Sequence, residues 1–141
     1  MNVMIDTNVI LDDILNRAPN AETARKVSRL VTDGAINGYL TANCLTDIFY
    51  IVSKHRTDDC GRKVIRNLLL TFSVVGVDGD DCRIAIDSGM SDFEDALAVV
   101  CAEKADLNYI VTNDKGFQSG ADSSVSVVSP ADILLYCGAK D

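Results

Sequence analysis

Residues 2–15 read Asn-Val-Met-Ile-Asp-Thr-Asn-Val-Ile-Leu-Asp-Asp-Ile-Leu, and the fold turns on how this stretch divides. Val3, Met4 and Ile5 form a short apolar run that ends in Asp6. From residue 7 onward the pattern changes, because Ile10, Leu11, Ile14 and Leu15 recur at roughly helical spacing. A buried strand that passes directly into a helix leaves its acid at the strand's carboxyl end. The amino terminus, with no basic lead and an acid at position 6, is expected to be this first strand rather than a signal peptide.

The same alternation continues along the chain. Pro19-Asn20 breaks the first helix, and residues 21–33 spell a second with Ala24, Val27, Leu30 and Val31 on one stripe before Gly34. Gly38–Thr41 reads as a very short strand, and Asn43 opens a helix that turns Leu45, Ile48, Phe49 and Val52 inward. Thr57-Asp58 caps a helix whose stripe is Cys60, Val64, Leu68 and Leu69, and Phe72–Val77 is β-branched enough for a third strand. Asp80–Ser88 is a helix closed by Gly89, and Ser91-Asp92-Phe93-Glu94 spells a capping box for the apolar helix after it. Asn108–Thr112 and Ser124–Val128 are strands four and five, and Pro130 stands at the first position of a last helix. Short strands separated by helices predict a parallel sheet covered on both faces, a three-layer α/β/α sandwich forming one domain over 1–141.

Composition narrows the function classes. The chain has 141 residues, 48% of them hydrophobic, which suits one core and excludes disorder. No apolar stretch is long enough to span a bilayer, so no membrane partner is expected. The 5 cysteines are odd in number and scattered without a C-x-x-C pair, which fits neither a disulfide framework nor a zinc site and points to a reducing cytoplasm. The formal charge of −8 argues against a protein held to nucleic acid by bulk electrostatics, unless converging acids share a cation that reverses the local sign.

Position favours convergence. Ligands of open parallel sheets gather at the carboxyl ends of the strands. Asp6 ends the first strand, Asp114 follows the fourth by two residues, Asp92 and Asp95 share one face of a helix's first turn, and Asp47 lies one turn into the helix after strand two. Each has a plainer reading: helix-dipole compensation for Asp92, capping for Glu94, a surface charge for Asp47. Asp6 is harder to explain away, since a half-buried carboxylate needs a partner and no base is near it in sequence. Carboxylates without histidine or thiolate favour Mg²⁺ or Mn²⁺ over zinc, and the single histidine, His55, lies among Lys54 and Arg56 beyond a helix end.

Residues 3–12, Val-Met-Ile-Asp-Thr-Asn-Val-Ile-Leu-Asp, resemble the opening of the PIN-domain nucleases. Leu45–Val52 is similar to that family's second motif, and Asp92-Phe93-Glu94-Asp95-Ala96-Leu97 and Ile110–Phe117 to its third and fourth. The resemblance covers essentially the whole chain in order. It implies a metal-dependent ribonuclease of the VapC-like kind, with RNA as substrate and a small antitoxin as partner, and it leaves room for a homodimer. Carried over by position, the catalytic acids are Asp6, Asp47, Asp95 and Asp114, with Asp6, Asp92, Asp95 and Asp114 toward the metal and Thr7, Asn8, Ser91 and Thr112 in support. Where the second motif usually carries glutamate, this chain has Asp47, one methylene shorter, which suggests contact with the metal through water. Arg62, Lys63 and Arg66, within about one turn of helix, are candidate RNA contacts, or simply a solvated basic face with no aromatic residue interleaved.

Two alternatives stay open. A haloacid-dehalogenase-like phosphatase also starts with an aspartate after strand one, but its D-x-D pattern would need an acid where Asn8 stands. An inactive PIN-like scaffold is favoured only by Asp47.

Overall fold

The computed structural model describes residues 1–120 and 123–138; the rest of the domain expected over 1–141 lies outside the described residues. Five strands, β1 (Asn2–Ile5), β2 (Asn37–Thr41), β3 (Ser73–Val75), β4 (Tyr109–Val111) and β5 (Ser126–Val128), form one sheet in the order β3-β2-β1-β4-β5. Every pairing is parallel. The helices are α1 (Thr7–Ile14), α2 (Ala21–Thr32), α3 (Ala42–His55), α4 (Asp58–Thr71), α5 (Gly79–Ile86), α6 (Phe93–Lys104), α7 (Lys115–Gly120) and α8 (Pro130–Tyr136).

The central strand shows why there are three layers. Successive side chains of a strand point to opposite faces. Val3 and Ile5 enter a core built from α1, α2, α3, α4 and α8, whereas Met4 enters a second core with Ala96, Leu97 and Val100 of α6 and Phe117 of α7. A strand buried on both sides has to be apolar throughout, as Val3-Met4-Ile5 is.

The expected sandwich and parallel sheet are what the chain forms. Thr57 caps α4 by accepting the Cys60 amide at 3.1 Å, and Ser129 caps α8 ahead of Pro130. Several boundaries differ from expectation. Helix α5 starts at Gly79 because Asp78 and Asp81 cap it reciprocally; its expected last residue, Ser88, instead turns its hydroxyl back onto the Ala85 carbonyl at 2.8 Å. Phe72 still donates its amide to Leu68 O, which delays β3 to residue 73. Leu69, expected inward, is 53% exposed, since Leu68 already takes the buried position. His55 is the last residue of α3 rather than lying beyond it, its ring Nδ1 2.9 Å from the Ile51 carbonyl. Helix α7 is an additional element, only six residues long. At Gly61 a Cβ would displace the Ser53 hydroxyl and press on the Phe49 ring, so its absence lets α4 seat closely on α3.

The topology also locates a site. The chain builds β1, β2 and β3 outward in one direction, then returns to place β4 on the other side of β1. The β1/β4 boundary is therefore the switch point, and the crevice beyond its carboxyl ends is where ligands bind in sheets of this kind.

Candidate active site

Asp6 follows β1 directly and Asp114 lies just beyond β4, so both sit at the switch point. The Asp6 amide donates to Val111 O at 2.9 Å, extending the β1–β4 ladder by one bond. With extended backbone (φ −66°, ψ 146°), Asp6 is the N-cap of α1 and its Oδ1 accepts the Thr7 amide at 2.9 Å. Its Oδ2 accepts the hydroxyl of Thr112 at 2.8 Å. That hydroxyl, fully buried, also accepts the Asp114 amide at 3.0 Å, so one side chain ties the two acid-bearing loops together. Asp114 is held in turn by α7, its Oδ1 accepting the amides of Gly116 (2.8 Å) and Phe117 (3.2 Å). A Cβ at residue 116 would stand 3.1 Å from that oxygen, which is why glycine suits this turn.

Helix α6 delivers the remaining acids, and here the expected cap is corrected. The N-cap is Asp92, whose Oδ1 accepts the Asp95 amide at 2.9 Å; Ser91 makes no cap, and Glu94 is not its reciprocal partner. The Ser-x-x-Glu spacing is one residue out of register, because Asp92 (φ −99°, ψ 116°) is the last extended residue before the helix. Ser91 instead borders a neighbouring cleft with Asp92, Asp95 and Asp114.

Asp6, Asp47, Asp92, Glu94, Asp95 and Asp114 line one cavity of about 310 Å³, together with Thr7, Asn8, Tyr50 and Ile51. Burial pushes the Asp95 carboxyl up to about 7, helped by Asp92, Asp6, Asp114 and Glu94. Asp6 is raised as well, by burial first and then by Asp114 and Asp92, while its bonds from Thr112 and Thr7 oppose the rise. Glu94 is raised by burial and by Asp47, Asp6 and Asp92. Among the described residues none of the six forms an ion pair with a base.

Such a set suits a hard divalent cation. All six are oxygen donors, and a cation would relieve both the burial and the mutual repulsion that hold Asp6 and Asp95 back from ionising. Among the described residues no three of these acids close into a ready-made cage. Asp6 and Asp95 also line a smaller void of about 20 Å³ with Asn43, whose buried Oδ1 has no partner among the described residues.

Glu94, Tyr50 and Asn43 also belong to this region, beyond the residues expected from sequence. The sequence signal of Glu94 is that of a capping residue; Tyr50 lies three residues after Asp47 on α3, a spacing that puts both on one face. Arg62, Lys63 and Arg66 are on α4 and do not line the acidic cavity: Arg62 and Arg66 border a separate groove with Leu45, Thr46, Phe49 and Ile65. An aromatic ring is present there after all, because Phe49 reaches across from α3 to within 6.0 Å of the Arg62 guanidinium carbon.

Known proteins resemble the chain in sequence or in fold. A curated relative, ribonuclease VapC1 of Aquifex aeolicus, is 26% identical over 121 residues, covering 83% of this chain and 84% of its own length. The Mycobacterium tuberculosis VapC20, described as a sarcin-ricin loop cleaving toxin, superposes with a TM-score of 0.67 at 15% identity over 87% of this chain and 98% of its own. A toxin–antitoxin complex from Klebsiella pneumoniae gives 0.67 at 18% identity over 91% and 97%. These structural likenesses establish the fold. The PIN-domain sequence model matches residues 2–116, a span that holds every acid of the cavity and sets aside the phosphatase alternative; the chain belongs to the PIN-domain family.

Proposed function

We propose that this protein is a Mg²⁺- or Mn²⁺-dependent endoribonuclease, the toxin half of a toxin–antitoxin pair acting in the cytoplasm. The observation that carries the reading is the cavity at the switch point, where six carboxylates gather with no base among the described residues to neutralise them. The curated relative is named a ribonuclease, and the Klebsiella structure is a toxin–antitoxin complex, which supports RNA as substrate and a small antitoxin as partner.

In this reading Asp6, Asp92, Asp95 and Asp114 hold the metal. The ion, when bound, would activate water for attack on phosphorus and neutralise the leaving oxygen. Thr112 keeps Asp6 and Asp114 in register, and α7 fixes one Asp114 oxygen so that the other is left for the cavity. Asp92 spends one oxygen on capping α6, which fixes Asp95 relative to it. Asp47, exposed on the α3 rim, acts through water. Asn8 and Thr7 line the floor toward α1.

The test is cleavage of a labelled single-stranded RNA in EDTA, Mg²⁺ and Mn²⁺, with Asp6→Asn alongside. Cleavage is expected only with metal, and Asp6→Asn is expected to be folded and nearly inactive. Cleavage in EDTA, or wild-type cleavage by Asp6→Asn, would overturn the proposal.

A further inference from the structure

A cavity of carboxylates repels the polyanion it is proposed to cut, so cations beside it must hold the strand's phosphates. The chain carries only 13 lysines and arginines against 21 acids, and where they cluster is therefore informative. The α4 patch is a poor fit. The groove that Arg62 and Arg66 border with Leu45, Phe49 and Ile65 is apolar, and Arg62 lies over the Phe49 ring.

The other cluster lies on α2. Arg25, Lys26 and Arg29 fall on one helix face and line a cleft of about 550 Å³ together with Glu22, 3.6 Å from Lys26, while Arg25 lies 3.6 Å from Asp13. The far wall of that cleft is the loop after α1, through Asn16, Ala18 and Pro19. Arg25 fastens the two walls by donating from Nη2 to Asn16 Oδ1 at 3.0 Å.

Arg17, between two wall residues in sequence, connects this cleft to the acids. Its Nη2 donates to the Asn8 carbonyl at 3.2 Å and lies 3.4 Å from Asn8 Oδ1, and Asn8 lines the acidic cavity. Its Nε donates to Asp12 Oδ1 at 2.8 Å. Asp12 is buried, 7% exposed, and its other oxygen accepts from Asn113, the residue before Asp114, at 3.3 Å. The cation is thus set by the same elements that set the catalytic acids, at the border of basic cleft and acidic cavity.

We propose that the α1–α2 cleft binds the phosphate backbone of a single-stranded RNA, with Lys26 and Arg29 as phosphate contacts and Arg17 as the joint that passes the strand to the carboxylates. This rests on the ribonuclease reading for its substrate. Lys26 and Arg29 lie outside the Asp12 network, so neutralising them leaves the site's own bonds intact.

The experiment is fluorescence anisotropy with a short labelled single-stranded RNA in EDTA, where nothing is cut, across a salt series. Two lost phosphate contacts flatten the slope of log K against log salt by about 1.4, and weaken binding ~25-fold at about 0.1 M salt. That loss is expected for Lys26→Gln/Arg29→Gln, and none for Arg62→Gln/Lys63→Gln/Arg66→Gln, with circular dichroism confirming both folds. Unchanged binding by the α2 variant, a loss confined to the α4 variant, or no RNA binding by the wild type overturns the proposal. If the wild type cleaves RNA while the α2 variant binds normally, only the cleft assignment falls. If binding depends on α2 but no metal supports cleavage, the cleft stands and the ribonuclease reading falls.

Discussion

Replacing Thr112 by valine removes one oxygen from the most connected point of the site while keeping nearly the same shape. The lost hydroxyl leaves Asp6 Oδ2 without its 2.8 Å donor and the Asp114 amide without its 3.0 Å acceptor. A hydrogen bond to a charged group contributes about 1.5–3 kcal/mol and a neutral one about 0.5–1.5. Water reaching Asp6 from the cavity and the added buried methyl offset part of this, so the expected loss is about 2–3 kcal/mol. For a domain of this size that lowers Tm by about 7–10 °C. The hydroxyl favours the ionised form of Asp6, so its contribution is present while Asp6 is charged and is lost as pH falls through the folded-state pKa. The gap between wild type and variant should therefore be widest near neutral pH and narrow in acid. The acidic limb of the cleavage rate should move to higher pH, because Asp6 then ionises later. Thr112→Ser, which keeps the oxygen, should restore the pH profile and most of the stability. Urea denaturation and a pH–rate series read all of this. A valine variant with wild-type Tm and an unmoved acidic limb would show that the hydroxyl does not organise the site.

In EDTA, the Asp95 carboxyl at about 7 binds protons that the unfolded chain, with a carboxyl near 3.8, does not. Its contribution therefore weakens as pH rises through that window: Asp95→Asn should gain Tm over wild type between those values, and a constant difference would refute the crowding. Asp92→Ala should cost about 1 kcal/mol through loss of the α6 cap, whereas Ser91→Ala should change stability by less than about 0.5 kcal/mol; equal losses would return the cap to Ser91. Asp47→Glu should keep or raise activity, and Asp47→Ala should weaken Mn²⁺ binding less than Asp6→Ala in calorimetry. Complete loss of binding in Asp47→Ala would make Asp47 a direct ligand.

Much of the architecture is legible in local pattern. Val3-Met4-Ile5 followed by Ile10, Leu11, Ile14 and Leu15 dictates a buried strand leading into a helix, because the period of apolar residues depends only on backbone geometry. That same junction puts Asp6 at a strand end, and the residues after β4 put Asp114 at another. Which strand ends become neighbours is a property of the sheet order, in which β4 returns to lie beside β1. The cap of α6 is decided by tertiary packing as well: Ser91 and Asp92 both carry acceptors, and the choice depends on which backbone is extended where the helix meets the core. Glu94 looks like a capping residue in sequence and stands in the acidic cavity in space. Helix α7 is too short to show a period, yet it holds Asp114. The meeting of Arg17 with Asp12 and Asn8 turns on side-chain reach across a turn, and the cations of α2 and α4 are alike in sequence until packing gives one group a polar cleft and the other an apolar groove. Periodicity reports which face of each element is buried; it carries no information about which buried faces, and which strand ends, the folded chain brings together.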